Sequence, residues 1–341
     1  MIQQPDPSTF AAGLTGVATG RFEVPNDRDQ PIWRQRRWEA QIAFWVFMAP
    51  MLIGLGIFTF LPIVWGFLIS LSEARNSISI SEFVGLDNYA DALRDAQFRR
   101  ALRTILVFTV FVVPLTFAVS LGLAMLVNSV GLGRGVFRTI FFIPTAISYV
   151  IASLVWRMGI FNGLFYGVAN TVLYEWFGYD KTVSWISPRP DDPPYYWLVL
   201  ITVRLWLQVG FYMIIFIAGL QEIPRDLYEA AFVDGAKPGW RTFRDITLPM
   251  LRNTSIAVLL LNFIAAFQAF DEFFNIFGST GASAGNLSQA RTPLVYMYQR
   301  GFSGGDYGLA SAMAFIVTAL IIVVTLAQGK IFGFGRSTAS G

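Results

Sequence analysis

Along the chain, long apolar runs alternate with short polar ones. A helix that crosses a bilayer needs ~20 largely apolar residues. Stretches free of Asp, Glu, Lys and Arg run from Gln41 to Ser72, Thr104 to Gly133, Thr139 to Trp156, Asn253 to Phe270 and Tyr307 to Gly329. One more, Pro193 to Gln221, is interrupted once, by Arg204. The pattern predicts six spans, over about 42–72, 104–130, 139–157, 196–221, 253–272 and 307–329. The expected fold class is an all-α polytopic membrane protein. Met158 to Tyr174 is also apolar but holds Asn162, Gly163, Gly167 and Asn170, which predicts a short interfacial or re-entrant helix and not a seventh span. Pro50, Pro62, Pro114 and Pro144 lie inside or at the ends of spans. Bundled helices tolerate proline because neighbours satisfy the freed backbone groups, so each predicts a kink.

Three domains follow: a flexible cytoplasmic tail over 1–40, a membrane domain over 41–330 and a cytoplasmic tail over 331–341. Met1 to Gln30 is rich in Pro, Thr, Gly and Asp and has no apolar core of signal-peptide type. Trp33, Arg34, Arg36, Arg37 and Trp38 form a basic, aromatic collar of the kind that anchors a cytoplasmic helix end. Six spans with the amino terminus inside leave both termini cytoplasmic. The inside segments then hold 14 Lys and Arg against 10 outside, a weak bias. It is spoiled by Glu73 to Arg103, which has five Arg and five acids.

Composition narrows the chemistry. The chain is 55% hydrophobic and 14% charged, with a mean hydropathy of +0.53. A soluble chain carries about 25% charge. A net charge of +3 without a basic stripe argues against a nucleic-acid partner. With neither Cys nor His there is no disulfide, no Cys or His metal site and no histidine base. The charge-free runs contain no carboxylate, and Arg204 is the only charge in a span, which argues against a proton-coupled carrier. A self-contained sodium-coupled carrier or channel stays open as an alternative, since backbone carbonyls can hold the ion. No GxxxxGK[ST] phosphate loop is present, so any ATP hydrolysis belongs to another chain. No nucleophile–base pair or carboxylate pair marks the spans as an enzyme site.

Between the fourth and fifth spans lies Glu222 to Arg252, reading EIPRDLYEAAFVDGAKPGWRTFRDITLPMLR. Pro224 suits a first helical turn, and Arg225 to Val233 has helix-forming composition. Gly235 breaks the helix where a positive φ is expected, Lys237 to Gly239 turn, and Trp240 to Leu248 predict a second short helix that Pro249 closes. Leu227, Tyr228, Ala230, Ala231 and Phe232 give the first helix an apolar surface. Such an element either docks into a partner's groove or merely links two spans.

This loop resembles the E-A-A loop of ABC importer permeases. Glu229-Ala230-Ala231, Asp234-Gly235-Ala236, Ile246 and Leu248-Pro249 match its pattern of E-A-A, D-G-A and I-x-L-P. Phe83-Val84-Gly85-Leu86-Asp87-Asn88-Tyr89 looks like the F-x-G-L-x-N-Y segment of carbohydrate permeases. Gly133-Arg134 through Phe137-Arg138 with Pro144, Ala269 to Phe273, and Pro293 to Tyr298 extend the likeness from about residue 44 to 330. The chain is similar to permeases of the maltose-transporter type. The resemblance implies a non-catalytic transport subunit of the bacterial inner membrane that imports a sugar or sugar-like solute. It implies a second permease, two ATPase subunits that bind ATP and Mg, an extracytoplasmic substrate-binding protein and membrane lipid as partners, with no cofactor in this chain. The loop residues above would be the coupling helix seated in an ATPase cleft. Where many relatives carry T-G-G-G-P, this chain reads Phe277 to Gly285 in a lengthened exterior segment, 277–292, so docking details there do not carry over.

A sugar would be held by planar polar groups and aromatic faces. In the fourth span Arg204, Gln208 and Tyr212 recur at i, i+4 and i+8 and share a face, either lining the pathway or, through a pairing of Arg204 with a carboxylate or helix end, holding the bundle. In the fifth, Phe263, Phe267, Phe270 and Phe274 form a packing or lipid-facing stripe. Asn262, Ala265, Ala266 and Ala269 form a small face, and Gln268, Asp271, Glu272 and Asn275 a polar one. Asn262, Gln268, Asp271, Glu272 and, in the third span, Tyr149 complete the pathway candidates, the polar face being otherwise a solvated helix end.

Overall fold

In a computed structural model, residues 36–163, 167–186, 193–237, 239–277 and 290–332 are described. Most of the amino-terminal tail, the carboxy-terminal tail beyond Phe332 and nearly all of the lengthened segment 277–292 lie outside them. The chain divides into two compact units, Met1–Trp65 and Gly66–Gly341.

In the first unit α1 spans Arg36–Leu55, a π turn covers Gly56–Phe60, and α2, Leu61–Ser70, carries the chain into the second unit. The helix thus begins five residues inside the segment expected to be a tail, because Arg36 to Ala40 are mostly good helix formers continuous with the apolar run. The π turn precedes Pro62. Proline has no N–H and its ring presses on the carbonyl four residues back, and a wider turn, here Leu61 N–H to the Gly56 carbonyl, relieves both.

The second unit opens on a two-residue antiparallel ladder, β1 (Ser72–Glu73) with β2 (Glu82–Phe83), in the register Ser72 to Phe83. This short pair is the one ladder of the otherwise helical fold among the described residues. Asn88 donates to the carbonyls of Ser70 and Ser72, both at 3.0 Å, and the Tyr89 hydroxyl meets Ser70 Oγ at 2.7 Å. The segment Phe83 to Tyr89 therefore fastens the end of α2. Next come α3, Asp87–Arg94, and α4, Ala96–Ser129. Asp95 caps α4 by accepting from Gln97 N at 2.7 Å and Phe98 N at 3.2 Å, so the helix starts eight residues before the predicted span.

The third span, expected over 139–157 with a kink at Pro144, is a sharply bent pair of helices. α5, Arg134–Phe142, runs into a 3-10 turn, Ile143–Ala146; α6, Tyr149–Val155, runs into a π turn, Trp156–Ile160. The two halves meet at 94°. Pro144 cannot continue an α ladder, Ile147 and Ser148 are extended, and the Ser148 hydroxyl accepts from Val150 N to start the second half. The short helix expected in the following stretch is α7, Val168–Phe177. It is tied down by buried Asn170, whose amide bonds the carbonyls of Asn162 and Val183, and whose Oδ1 accepts from Trp185 Nε1 at 3.0 Å.

α8 spans Tyr196–Gln221. The loop 222–252 holds α9 (Arg225–Val233), α10 (Trp240–Thr242), a π turn (Phe243–Thr247) and α11 (Leu248–Met250). α12, Arg252–Phe267, and α13, Asp271–Phe277, form an interrupted fifth span; α14 is Pro293–Tyr298 and α15 Tyr307–Phe332. Five helices are long and apolar enough to cross a membrane, and a sixth if the bent pair counts as one, among the described residues.

The core lies where α4, α8 and α12 pack. Phe108, Leu200, Val203, Leu207, Phe267 and Phe273 are buried there. Ser120 Oγ donates to the Val209 carbonyl at 3.1 Å and Asn262 Nδ2 to the Val113 carbonyl at 3.2 Å, so hydroxyl and amide groups clip the helices together. α8 also meets the bent span closely. A Cβ on Gly210 would fall on the Phe141 carbonyl, so only glycine fits.

Candidate functional site

Two regions carry the polar chemistry. The first is a closed network inside the bundle. Arg204 NH1 donates to Glu272 Oε1 at 2.7 Å, Arg204 Nε to Gln208 Oε1 at 3.0 Å, and Arg204 NH2 to the Ala265 carbonyl. The guanidinium lies 5.3 Å from the centre of the Tyr149 ring. Arg204 and Glu272 are 4% and 1% exposed. The expectation that no span holds a carboxylate is corrected here: Glu272 lies at the break in the fifth span, where the chain turns it inward onto Arg204. Its helical face, read as a solvated helix end in one alternative, divides: Gln268 is exposed, Asp271 and Asn275 half-buried, Glu272 buried.

Four expected pathway residues, Tyr149, Arg204, Gln208 and Glu272, thus converge, and their polar groups are spent largely on one another. This is the pairing alternative for Arg204. The network pins α8 to α13 and to the first residue of α6, just past the 94° bend. Buried Tyr212 packs one turn and more away among Leu121, Met213 and Phe216. Asn262 is buried and faces α4. The phenylalanine stripe stacks within itself, Phe263 on Phe267 at 5.2 Å and Phe270 on Phe274 at 5.1 Å.

The second region is the loop 222–252. Gly235 has φ +87°, the left-handed conformation expected of it, and ends α9. Ala236 N returns to the Ala231 carbonyl at 2.8 Å, and Gly235 N to the Phe232 carbonyl at 3.1 Å. The second helix forms where expected, but a π turn divides it before Pro249, with Leu248 N–H reaching the Phe243 carbonyl. Tyr228 and Thr247 bridge the two helices, hydroxyl to hydroxyl, at 2.9 Å. Sequence spacing gave no signal of that bridge, because the residues lie 19 apart on separate elements.

Glu229, Ala230, Asp234, Gly235, Leu248 and Pro249 are exposed, Ala231 and Ala236 half-buried. Val233 is 87% exposed and Trp240 74%, beside exposed Leu227 and Phe232. So much apolar surface around one acidic turn is the composition of a docking element. Behind it, a cavity of about 860 Å³ opens between α4, at Phe117, Leu121 and Met125, and the loop, at Tyr228, Phe243 and Leu248.

Residues 118–332 match the family described as the binding-protein-dependent transport system inner membrane component. The chain is 30% identical over 319 residues to the arabinooligosaccharides transport system permease protein AraP of Bacillus subtilis, covering 93% of this chain and 97% of that one. It is 31% identical over 298 residues to the trehalose/maltose transport system permease protein MalF of Thermococcus litoralis, covering 87% and 96%. Its fold matches a chain of a bacterial ABC transporter involved in import of the acidic polysaccharide alginate, with a TM-score of 0.74 and 24% identity over 89% of this chain and all of that one. With its spans, its bent helix and its projecting loop, the chain belongs to the family of binding-protein-dependent transport system inner membrane components.

Proposed function

We propose that the chain is one of two permease subunits that together form the path of an ATP-driven importer of a carbohydrate or sugar-like solute. The observation that carries this is the exposed loop in which Glu229-Ala230-Ala231 ends at a left-handed Gly235. Its apolar and acidic surface is suited to a cleft on an ATPase subunit, where ATP and Mg would be bound by the partner. Tyr228 and Thr247 make the two short helices one unit, so a push on α9 reaches α12 through the second helix. Both termini and the loop are cytoplasmic in this reading, and the ends of α4 and α8 that begin at Ala96 and Tyr196 face outward, toward an extracytoplasmic binding protein. Exposed Gln268 and half-buried Asp271 offer polar groups to the pathway, while Arg204 and Glu272 hold the bent span against the fourth and fifth. A carbohydrate cargo is supported by the oligosaccharide and disaccharide systems of the relatives. The test is co-expression of this chain with the ATPase and second permease encoded beside it, followed by co-purification and cargo-stimulated hydrolysis. Hydrolysis by this chain alone, or assembly unaffected by deletion of 225–237, would overturn the proposal.

A further inference from the structure

We propose that the cleft between the first turns of α4 and α8 binds the headgroup of an anionic phospholipid. The cleft, about 490 Å³, is lined by Arg100, Arg103, Thr104 and Val107 of α4 and by Tyr196 and Trp197 of α8.

Glu73 to Arg103 has as many acids as arginines, yet the fold separates them. Glu73 pairs with Arg75 at 3.5 Å, and Asp95 with Arg300 at 3.4 Å. Asp87 and Asp91 line a different cavity of about 230 Å³ with Asp306. Among the described residues, Arg100 and Arg103 have no ion-pair partner. They stand three apart on one helical face, exposed, and meet in the same cleft. Guanidinium groups match phosphate oxygens in a bidentate fashion, and two of them exceed the charge of one phosphodiester. The same surplus repels a choline headgroup, so the lipid is a net anion.

The surroundings specify a lipid phosphate over a free one. Tyr196 and Trp197, ring centres 5.5 Å apart, are side chains that settle at headgroup depth. Val107 also lines the cleft, and beyond it on α4 Val110 and Phe111 are 65% and 62% exposed, an apolar strip on which acyl chains can lie. A soluble anion, an anionic cargo or an acidic protein surface has no use for that strip. The arginines also lie at the end where the positive-inside rule expects few, and a bound lipid anion neutralises them.

The test places the full-length chain in nanodiscs of equal phosphatidylglycerol and phosphatidylcholine and counts lipid retained on release by native mass spectrometry. The chain should keep phosphatidylglycerol in preference. Arg100→Gln with Arg103→Gln should keep roughly tenfold less or lower, and Arg100→Lys with Arg103→Lys should retain an intermediate share. If the Gln pair does not fold, the Lys pair and Val107→Glu read the same site. Equal retention of both lipids, retention unchanged in the Gln pair, or displacement of the lipid by excess inorganic phosphate would each overturn the proposal. Only the assignment to the outer leaflet rests on the topology proposed above; lipid retention is read on this chain alone and does not depend on transport.

Discussion

Arg204 in α8 and Glu272 at the start of α13 are joined by a 2.7 Å ion pair that is almost wholly buried. A charge at such depth costs roughly 2.5–3.5 kcal/mol on insertion scales, and its partner is what makes it tolerable. Because the same guanidinium also holds the Ala265 carbonyl and the Tyr149 ring, the pair ties α8 to α6, α12 and α13 at one point.

Glu272→Ala leaves that guanidinium buried and unpaired. We expect a loss of about 3–5 kcal/mol, read as a lower unfolding temperature of the purified chain. Arg204→Met with Glu272→Leu together should recover most of it, because neither charge is then stranded. A double variant as damaged as the single one would show that the ion pair itself, and not its breakage, carries stability.

Gly235→Val places a Cβ at φ +87°, costing about 1–2 kcal/mol and turning the second helix of the loop away. Cargo-stimulated hydrolysis by the assembled transporter should fall while the apparent affinity for cargo holds. Unchanged hydrolysis and uptake would make the loop a passive linker.

At Gly210, α8 packs directly on the Phe141 backbone of the bent third span, with no room for a Cβ. Gly210→Ala should destabilise the chain by roughly 1–3 kcal/mol through overpacking against the Phe141 backbone. The measure is thermal unfolding, with Gly122→Ala, which meets open space, as the harmless comparison.

Topology is checked with single cysteines, since the chain has none of its own. Lys237→Cys should react with an impermeant reagent only after the membrane is opened, and Arg103→Cys in intact cells. The reverse pattern would invert the orientation.

Asp95 supplies a pH dependence. Burial alone would raise its carboxyl, but the Tyr296 hydroxyl at 2.6 Å, the N–H groups of Gln97 and Phe98, and Arg300 outweigh that and hold it below 3.8. Burial, with Asp95 next, pushes the Tyr296 phenol up to about 12. A carboxylate depressed in the fold contributes stability above its unfolded value that is lost as pH falls through the folded one. Unfolding temperature should therefore drop on acidification below about 3.8, and Tyr296→Phe should flatten that drop. An unaltered acid profile in Tyr296→Phe would remove the hydroxyl from the account.

The sequence alone determined the features that depend on local composition. Runs long and apolar enough to cross a bilayer can do little else, so the spans at 196–221 and 307–329 were legible to within a few residues. Gly235 was legible as a left-handed stop, because few other residues tolerate that conformation. The exposed loop 222–252 was legible because its apolar residues have nothing in their own segment to cover them. Tertiary structure decided what depends on meeting a distant residue. Glu272 reads as part of a solvated end until Arg204, 68 residues away, arrives beside it. The start of α4 was hidden because charged residues can extend a helix beyond the membrane once Asp95 caps it. Pro144 signals a kink of unstated size; the 94° bend exists because Ser148 restarts the helix and Arg204 holds its new first residue, Tyr149. A charge pattern records how many ions a segment carries, but only the fold separates Arg100 and Arg103 from the acids beside them in the chain.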